Sequence, residues 1–149
     1  MTNLFLGQGW SSPLRVSPSG GMAMAAGPAA VEQSVRLILD TEPGERPMRP
    51  EFGCAVRDYV FDSFDSSSGA ALVQEVRRAL ERWEPRIVVD DVRVVRTADH
   101  QEAVNIHVAY RLSGTNNPHN LIHPFHLIPT RNTPGQQTEP QRRDSDVSA

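Results

Sequence analysis

From Pro28 onward the apolar residues Val31, Val35, Ile38 and Leu39 recur at three- and four-residue steps, which places them on one stripe of a helix. Glu32 and Arg36 stand one turn apart on its flank. Pro28 suits a first helical turn, where a missing N–H costs nothing, and Pro43-Gly44 forces a stop by Thr41. The predicted helix therefore spans 28–40. Ala55, Val56, Tyr59, Val60 and Phe61 then give a turn or two over 54–61. Ser66 to Ser68 offer N-caps for the longest helix, 67–83, with Leu72, Val76, Ala79, Leu80 and Trp83 on one face. Gln74, Glu75, Arg77, Arg78, Glu81 and Arg82 lie largely elsewhere. Pro85 ends this helix and pushes Glu84 out of helical geometry.

Beyond Ile87 the pattern changes to an alternation of two. Val92 and Val94 alternate with Arg93 and Val95 in a strand over 87–97, and Asp90-Asp91 interrupts it as a bulge. Val104, Ile106, Val108, Tyr110 and Leu112 alternate with Asn105, His107, Ala109 and Arg111 in a strand over 103–112. Ala98 to Gln101 is the expected hairpin connection, Gly114 to Pro118 a turn, and 121–128 a third strand. Helices segregated before strands predict an α+β fold, with helices packed on a small antiparallel sheet and the long helix covering one face. Residues 1–27 read as an irregular arm, with a short strand near Val16 and with Met22 to Ala26 lying against the core. Residues 28–128 form the domain. The polar stretch 129–149 has almost nothing to bury and is expected to be disordered or to be ordered only by a partner.

Composition narrows the function. A chain of 149 residues has the size of one domain with a modest core. A net charge of -3 gives no general attraction to nucleic acid or anionic membrane. All 15 basic residues are Arg, which fits a GC-rich coding bias. The single Cys54 rules out an internal disulfide. No apolar run has the length of a membrane span, and the N-terminus lacks the pattern of a signal peptide, so synthesis and assembly in the cytoplasm are expected.

Candidate chemistry is sparse. A glycosidase needs two carboxyl groups close together, one of them protonated. Glu45, Glu51 and Glu84 each have an Arg within two residues, which favours the charged carboxylate and works against that role. His123 and His126 fall on opposite faces of a strand, and with His119 and the remote Cys54 they match no zinc spacing. There is no Gly-x-Ser-x-Gly elbow or phosphate loop, and Gly7-x-Gly9 lacks the strand-turn-helix setting of a dinucleotide fingerprint. No catalytic residue, metal or cofactor is expected. Arg77, Arg78, Arg82 and Arg86 are interleaved with Glu75, Glu81 and Glu84, the pattern of a solvated or protein-facing surface. Trp83 reads as a core residue at a helix end. Glu84-Pro85-Arg86 admits two readings. It is a helix stop with an exposed ion pair of little energetic worth, or a rigid anchor whose arginine offers a planar fork to a partner.

The segment Thr41-Glu-Pro-Gly-Glu-Arg-Pro-Met-Arg-Pro-Glu-Phe-Gly53, followed one helix later by Trp83-Glu84-Pro85-Arg86-Ile87, resembles the baseplate wedge and sheath-initiator family of contractile injection machines. That family includes the lysozyme-like wedge protein of contractile phage tails and its equivalents in the type VI secretion baseplate and in extracellular injection systems. Gly9, Pro13 and Gly20 in the arm, Val31, Ser34, Ile38, Leu39 and Thr41 in the first helix, and Phe61 match in order. So do Asn116, Asn120, Leu121, Pro124 and Phe125. The resemblance covers 7–127.

It implies a non-enzymatic structural protein. Glu84, Pro85 and Arg86 would dock on the wedge core, with Glu45 and Arg46 as further partner-binding residues. The sheet would resemble a sheath handshake domain and template the first sheath ring by strand sharing. Copies would stand around a sixfold axis in a phage tail-like particle, with tube or hub proteins as further neighbours. Arg86→Ala is then expected to leave the domain folded and to block incorporation. A peptidoglycan-cleaving enzyme and a monomeric adaptor of the same fold are the alternatives.

Overall fold

The computed structural model describes residues 6–60, 66–96 and 103–126. Helix α1 (Pro28–Asp40) begins with its proline in the first turn and ends at Thr41, whose N–H and hydroxyl both donate to the Leu37 carbonyl. Val31, Val35, Ile38 and Leu39 are buried, as their spacing predicts. Glu32 and Arg36 pair at 3.0 Å on the outside. Helix α2 (Val56–Val60) is short, and α3 (Ser66–Trp83) is the long one.

Strands β3 (Ile87–Arg96), β4 (Ala103–Leu112) and β5 (Pro118–His126) form an antiparallel sheet in that order. The register shifts between Val89 and Asp91, so the bulge stands where the aspartate pair interrupts the valines. It also swaps parity: Ile87 and Val89 are buried before it, Val92 after it. One face of the sheet, with Ile106, Val108, Tyr110, Leu112 and Leu121, packs against Leu72, Val76, Ala79 and Leu80 of α3 and the buried stripe of α1, and Val104 is buried as well. The other face carries the exposed Val88, Val95 and Ile122. The fold is α+β, as expected, with helices on one face of a small sheet.

Three expectations are corrected. The third strand starts at Pro118, three residues early, because Pro118 to Asn120 continue the pairing with Ala109 to Arg111. The arm is regular: β1 (Gln8–Trp10) pairs with β2 (Met24–Ala26), and Val16 bridges Met22 further out. Met22 and Met24 do not lie against the core; with Trp10, Leu14 and Val16 they are exposed on this hairpin. Phe61, the hairpin at 98–101 and the 129–149 tail fall outside the described residues.

Candidate functional site

Pro85 stops α3 and turns the chain so that Glu84 points inward and Arg86 follows it. Arg86 Nε and Nη2 donate to the two Glu84 carboxylate oxygens, each at 2.6 Å, in a bidentate fork. Arg86 Nη1 donates to the carbonyl of Leu6, eighty residues away, also at 2.6 Å. Leu6 itself is buried in the core. Glu84 is 1% exposed, so of the two readings of this corner the one with an exposed ion pair is corrected to a buried carboxylate with a partly covered arginine. Burial pushes the Glu84 carboxyl up, but hydrogen bonds from Arg86 and Ser34, with the arginine charge, more than offset this and hold it below its ordinary value. The same pairing, against burial, raises Arg86.

The backbone of the corner is tied down as well. Ser113 N–H donates to the Arg86 carbonyl at 2.7 Å, joining the corner to the end of β4. Gly7 sits next to Arg86 Nη1 at a positive φ of 68°, where a side chain would be strained. Beside it Gln33 donates to the Trp10 carbonyl at 2.6 Å and accepts from Ser12 N–H at 3.0 Å, fastening the hairpin to α1. A shallow groove of about 280 Å³ remains between Gln8 and Gly9 of the arm, Ala30, Gln33 and Leu37 of α1, and Arg86.

The charged loop 41–53 meets the same end of α3. Arg46 lies over the Phe52 ring at 4.4 Å, Phe52 packs tilted on Trp83 at 5.2 Å, and Arg82 covers Trp83 at 4.7 Å. Glu45 turns back to accept from Glu42 N–H at 3.0 Å. Of the five predicted site residues, Glu84, Pro85 and Arg86 thus share one corner, and Arg46 reaches it through Phe52 and Trp83. Glu45 shapes its own loop instead. The sequence reading missed Leu6, Ser34 and Ser113 as partners of the corner. Only Ser34 gave a cue, as a polar residue beside the apolar stripe of α1.

Among the described residues no group of three or more His, Cys, Asp or Glu is placed to hold a metal. His123 is buried on the inner face of β5, with Nε2 3.2 Å from Asp40 Oδ1 but without the alignment of a hydrogen bond. His119 stacks on Tyr110 at 5.6 Å. Cys54 is buried and its thiol is pushed up to about 12, chiefly by desolvation and also by Glu75.

The chain is similar to known proteins over most of this architecture. The family profile described as "Baseplate wedge protein gp25" matches residues 25–117. The baseplate wedge protein gp25 of Enterobacteria phage T4 is 27% identical over 100 residues, which is 67% of this chain and 74% of that protein. A solved protein of Geobacter sulfurreducens, named as a candidate tail lysozyme, is 36% identical with a TM-score of 0.65, covering 72% of this chain and 99% of that one. A chain of the sixfold-symmetrised anti-feeding prophage baseplate is 31% identical with a TM-score of 0.68, covering 76% of this chain and 90% of that one.

Proposed function

The chain belongs to the gp25 baseplate wedge family, structural components of contractile injection systems, and on that premise we propose that its Glu84-Pro85-Arg86 corner fastens it to the wedge core. The observation that supports this is the convergence on one corner of the arm through Leu6, α1 through Ser34, and the end of β4 through Ser113. Three of the five Arg86 N–H groups are engaged inside the molecule. Arg86 therefore acts mainly by holding the arm and the adjoining groove in a fixed pose, and offers its two remaining N–H groups to the partner. Glu45 and Arg46 contribute by keeping the charged loop in shape beside the corner.

The second half of the proposal is that the sheet templates the first sheath ring by accepting a strand. β3 and β5 are the two edges of the sheet. β3 is bulged, and Arg77 Nη1 donates to its Val89 carbonyl at 3.2 Å, so part of that edge is covered. On β5, Pro118 and Pro124 have no N–H, and proline within a sheet sits with its nitrogen toward the open side. By the two-residue period, Asn120 and Ile122 turn their N–H groups the same way. That leaves the edge between the prolines as the place for an incoming strand.

The role requires no catalysis. Glu84 is buried, paired and held charged, the opposite of a general acid. In particles the copies would follow the sixfold axis of the machine, with tube or hub proteins nearby. The test is to delete the gene and view particles by negative-stain electron microscopy. Missing sheaths, or sheaths polymerised away from baseplates, are expected; normal contractile particles would overturn the proposal. Complementation with Ile122→Pro separates the two halves, since it should restore baseplates without attached sheaths.

A further inference from the structure

We propose that Met48 is the apolar plug of a second contact, seated in a socket of another baseplate protein whose rim carries carboxylates. The inference rests on the baseplate reading but not on the Glu-Pro-Arg corner. Met48 is 93% exposed, more than any other exposed large hydrophobic residue described. Exposure of one apolar side chain is ordinary on a mobile loop. This loop is not built to move.

Gly44 N–H donates to the Pro50 carbonyl at 2.6 Å, Arg49 N–H to the Arg46 carbonyl and Phe52 N–H to the Arg49 carbonyl, each at 3.1 Å. Pro47 and Pro50 fix φ on either side of the Met48-Arg49 pair. Gly53 holds a φ of 119°, and a Cβ there would collide with the Thr41 carbonyl. The base of the loop is pinned by the Arg46–Phe52–Trp83 stack. These restraints keep Met48 out in water instead of letting it fold down on neighbouring apolar surface. Order of this kind at an exposed thioether prepares an interface, because the partner then meets a side chain whose loop is already arranged. Methionine adapts its shape to the pocket it enters, and methionine and arginine are both enriched in interfaces.

Charge names the partner's chemistry. Arg46 and Arg49 flank the tip, and Glu51 beyond Pro50 leaves the stretch 46–51 net positive. Among the described residues no carboxylate pairs with Arg49, and Glu45 is turned away to Glu42 N–H. Carboxylates at the rim of an apolar socket complement that tip.

Peroxide footprinting of the native chain tests this, with methionine sulfoxide read by mass spectrometry. Met22 and Met24, at 45% and 49% exposed, are internal comparators. In the free chain Met48 should oxidise faster than either. In isolated particles its rate should fall by at least about tenfold, because susceptibility follows access. Met48→Glu and Arg49→Glu should melt like the wild type yet enter particles poorly, and a photocrosslinker at position 48 should capture a different protein beside Asp or Glu. Oxidation of Met48 at its free rate in particles that contain the chain overturns the plug alone, as does a crosslink only to a second copy. A wild-type chain absent from particles overturns the plug and the baseplate reading together.

Discussion

Arg86→Ala removes the partner of a carboxylate that is 1% exposed. Breaking a buried ion pair while leaving one charge behind costs about 3–5 kcal/mol. The arginine side chain is 28% exposed, so water reaches the vacated site and the lower end, about 3 kcal/mol, applies. The lost hydrogen bond to the Leu6 carbonyl adds about 1 kcal/mol. Against a typical stability of about 5–15 kcal/mol, a loss of ~4 is large. It lowers the melting temperature by about 8–16 °C at this chain length. The variant therefore does more than disable docking, and its incorporation into particles is meaningful only where it is still folded. Urea titration followed by tryptophan fluorescence gives the free energies, since Trp83 adjoins the corner.

The pH dependence checks the cause. In the wild type the folded Glu84 is depressed, so its stabilisation is complete above the unfolded value of about 4.3 and is lost as pH falls through the folded value. Without Arg86, burial dominates and raises the carboxyl, so the variant's penalty shrinks as protons neutralise it. The difference between the proteins should therefore be smaller at pH 4 than at pH 7. A difference below about 1 kcal/mol that does not change with pH would refute the buried-pair argument.

Gly53→Ala should destabilise by at least about 3 kcal/mol by denaturant titration, from strained φ and a clash with the Thr41 carbonyl. An effect near the cost of a simple Gly→Ala surface change would contradict the packing. Leu80→Ala, at a fully buried position between α3 and the sheet, should cost about 2–5 kcal/mol by the same measurement. Burial lowers the folded His123 below its ordinary value, Asp40 pulls it up and Arg36 pushes it down. Stability should thus be full above about pH 6.5 and fall as pH drops from there toward the folded value, and His123→Leu should flatten that slope. Cys54, with its thiol near 12, should resist a disulfide reagent at pH 8 until the chain unfolds; prompt labelling of the native protein would contradict its burial.

The helices and sheet were legible because their signals are periodic and local. Val31 to Leu39, Leu72 to Leu80 and Val104 to Leu112 carry their core positions in their spacing, and every one of the named stripe residues is buried except the half-buried Trp83. Asp90-Asp91 announced its bulge because an unbroken alternation from Ile87 and Val89 would turn the Asp91 charge inward. The arm was not legible. Its pairing of Gln8 to Trp10 with Met24 to Ala26 uses three residues a side, too short for alternation to register, and its large side chains stay in water. The corner was half legible. Pro85 as a helix stop follows from covalent geometry, but whether Glu84 points in or out depends on Leu6, Ser34 and Ser113. Those contacts span from 27 to 80 residues and leave no periodic trace.

That dependence changes how the corner should be understood. Trp83 receives the charged loop through Phe52, Glu84 receives α1 through Ser34, and Arg86 receives the arm through Leu6 and the end of β4 through Ser113. Three residues within one run of four, Trp83, Glu84 and Arg86, thus fasten four segments that the chain itself keeps far apart. A buried pair of this kind adds little net stability over apolar packing, yet it is costly to break on one side. Its advantage is positional, because a bidentate fork and a third hydrogen bond accept only one placement of the arm. Replacing Glu84 and Arg86 together with apolar residues would then leave a stable domain whose arm is no longer held by Arg86. If that double variant folds well and still assembles, the corner serves folding alone. If it folds well and fails to assemble, holding the arm in place is the function that the fork performs.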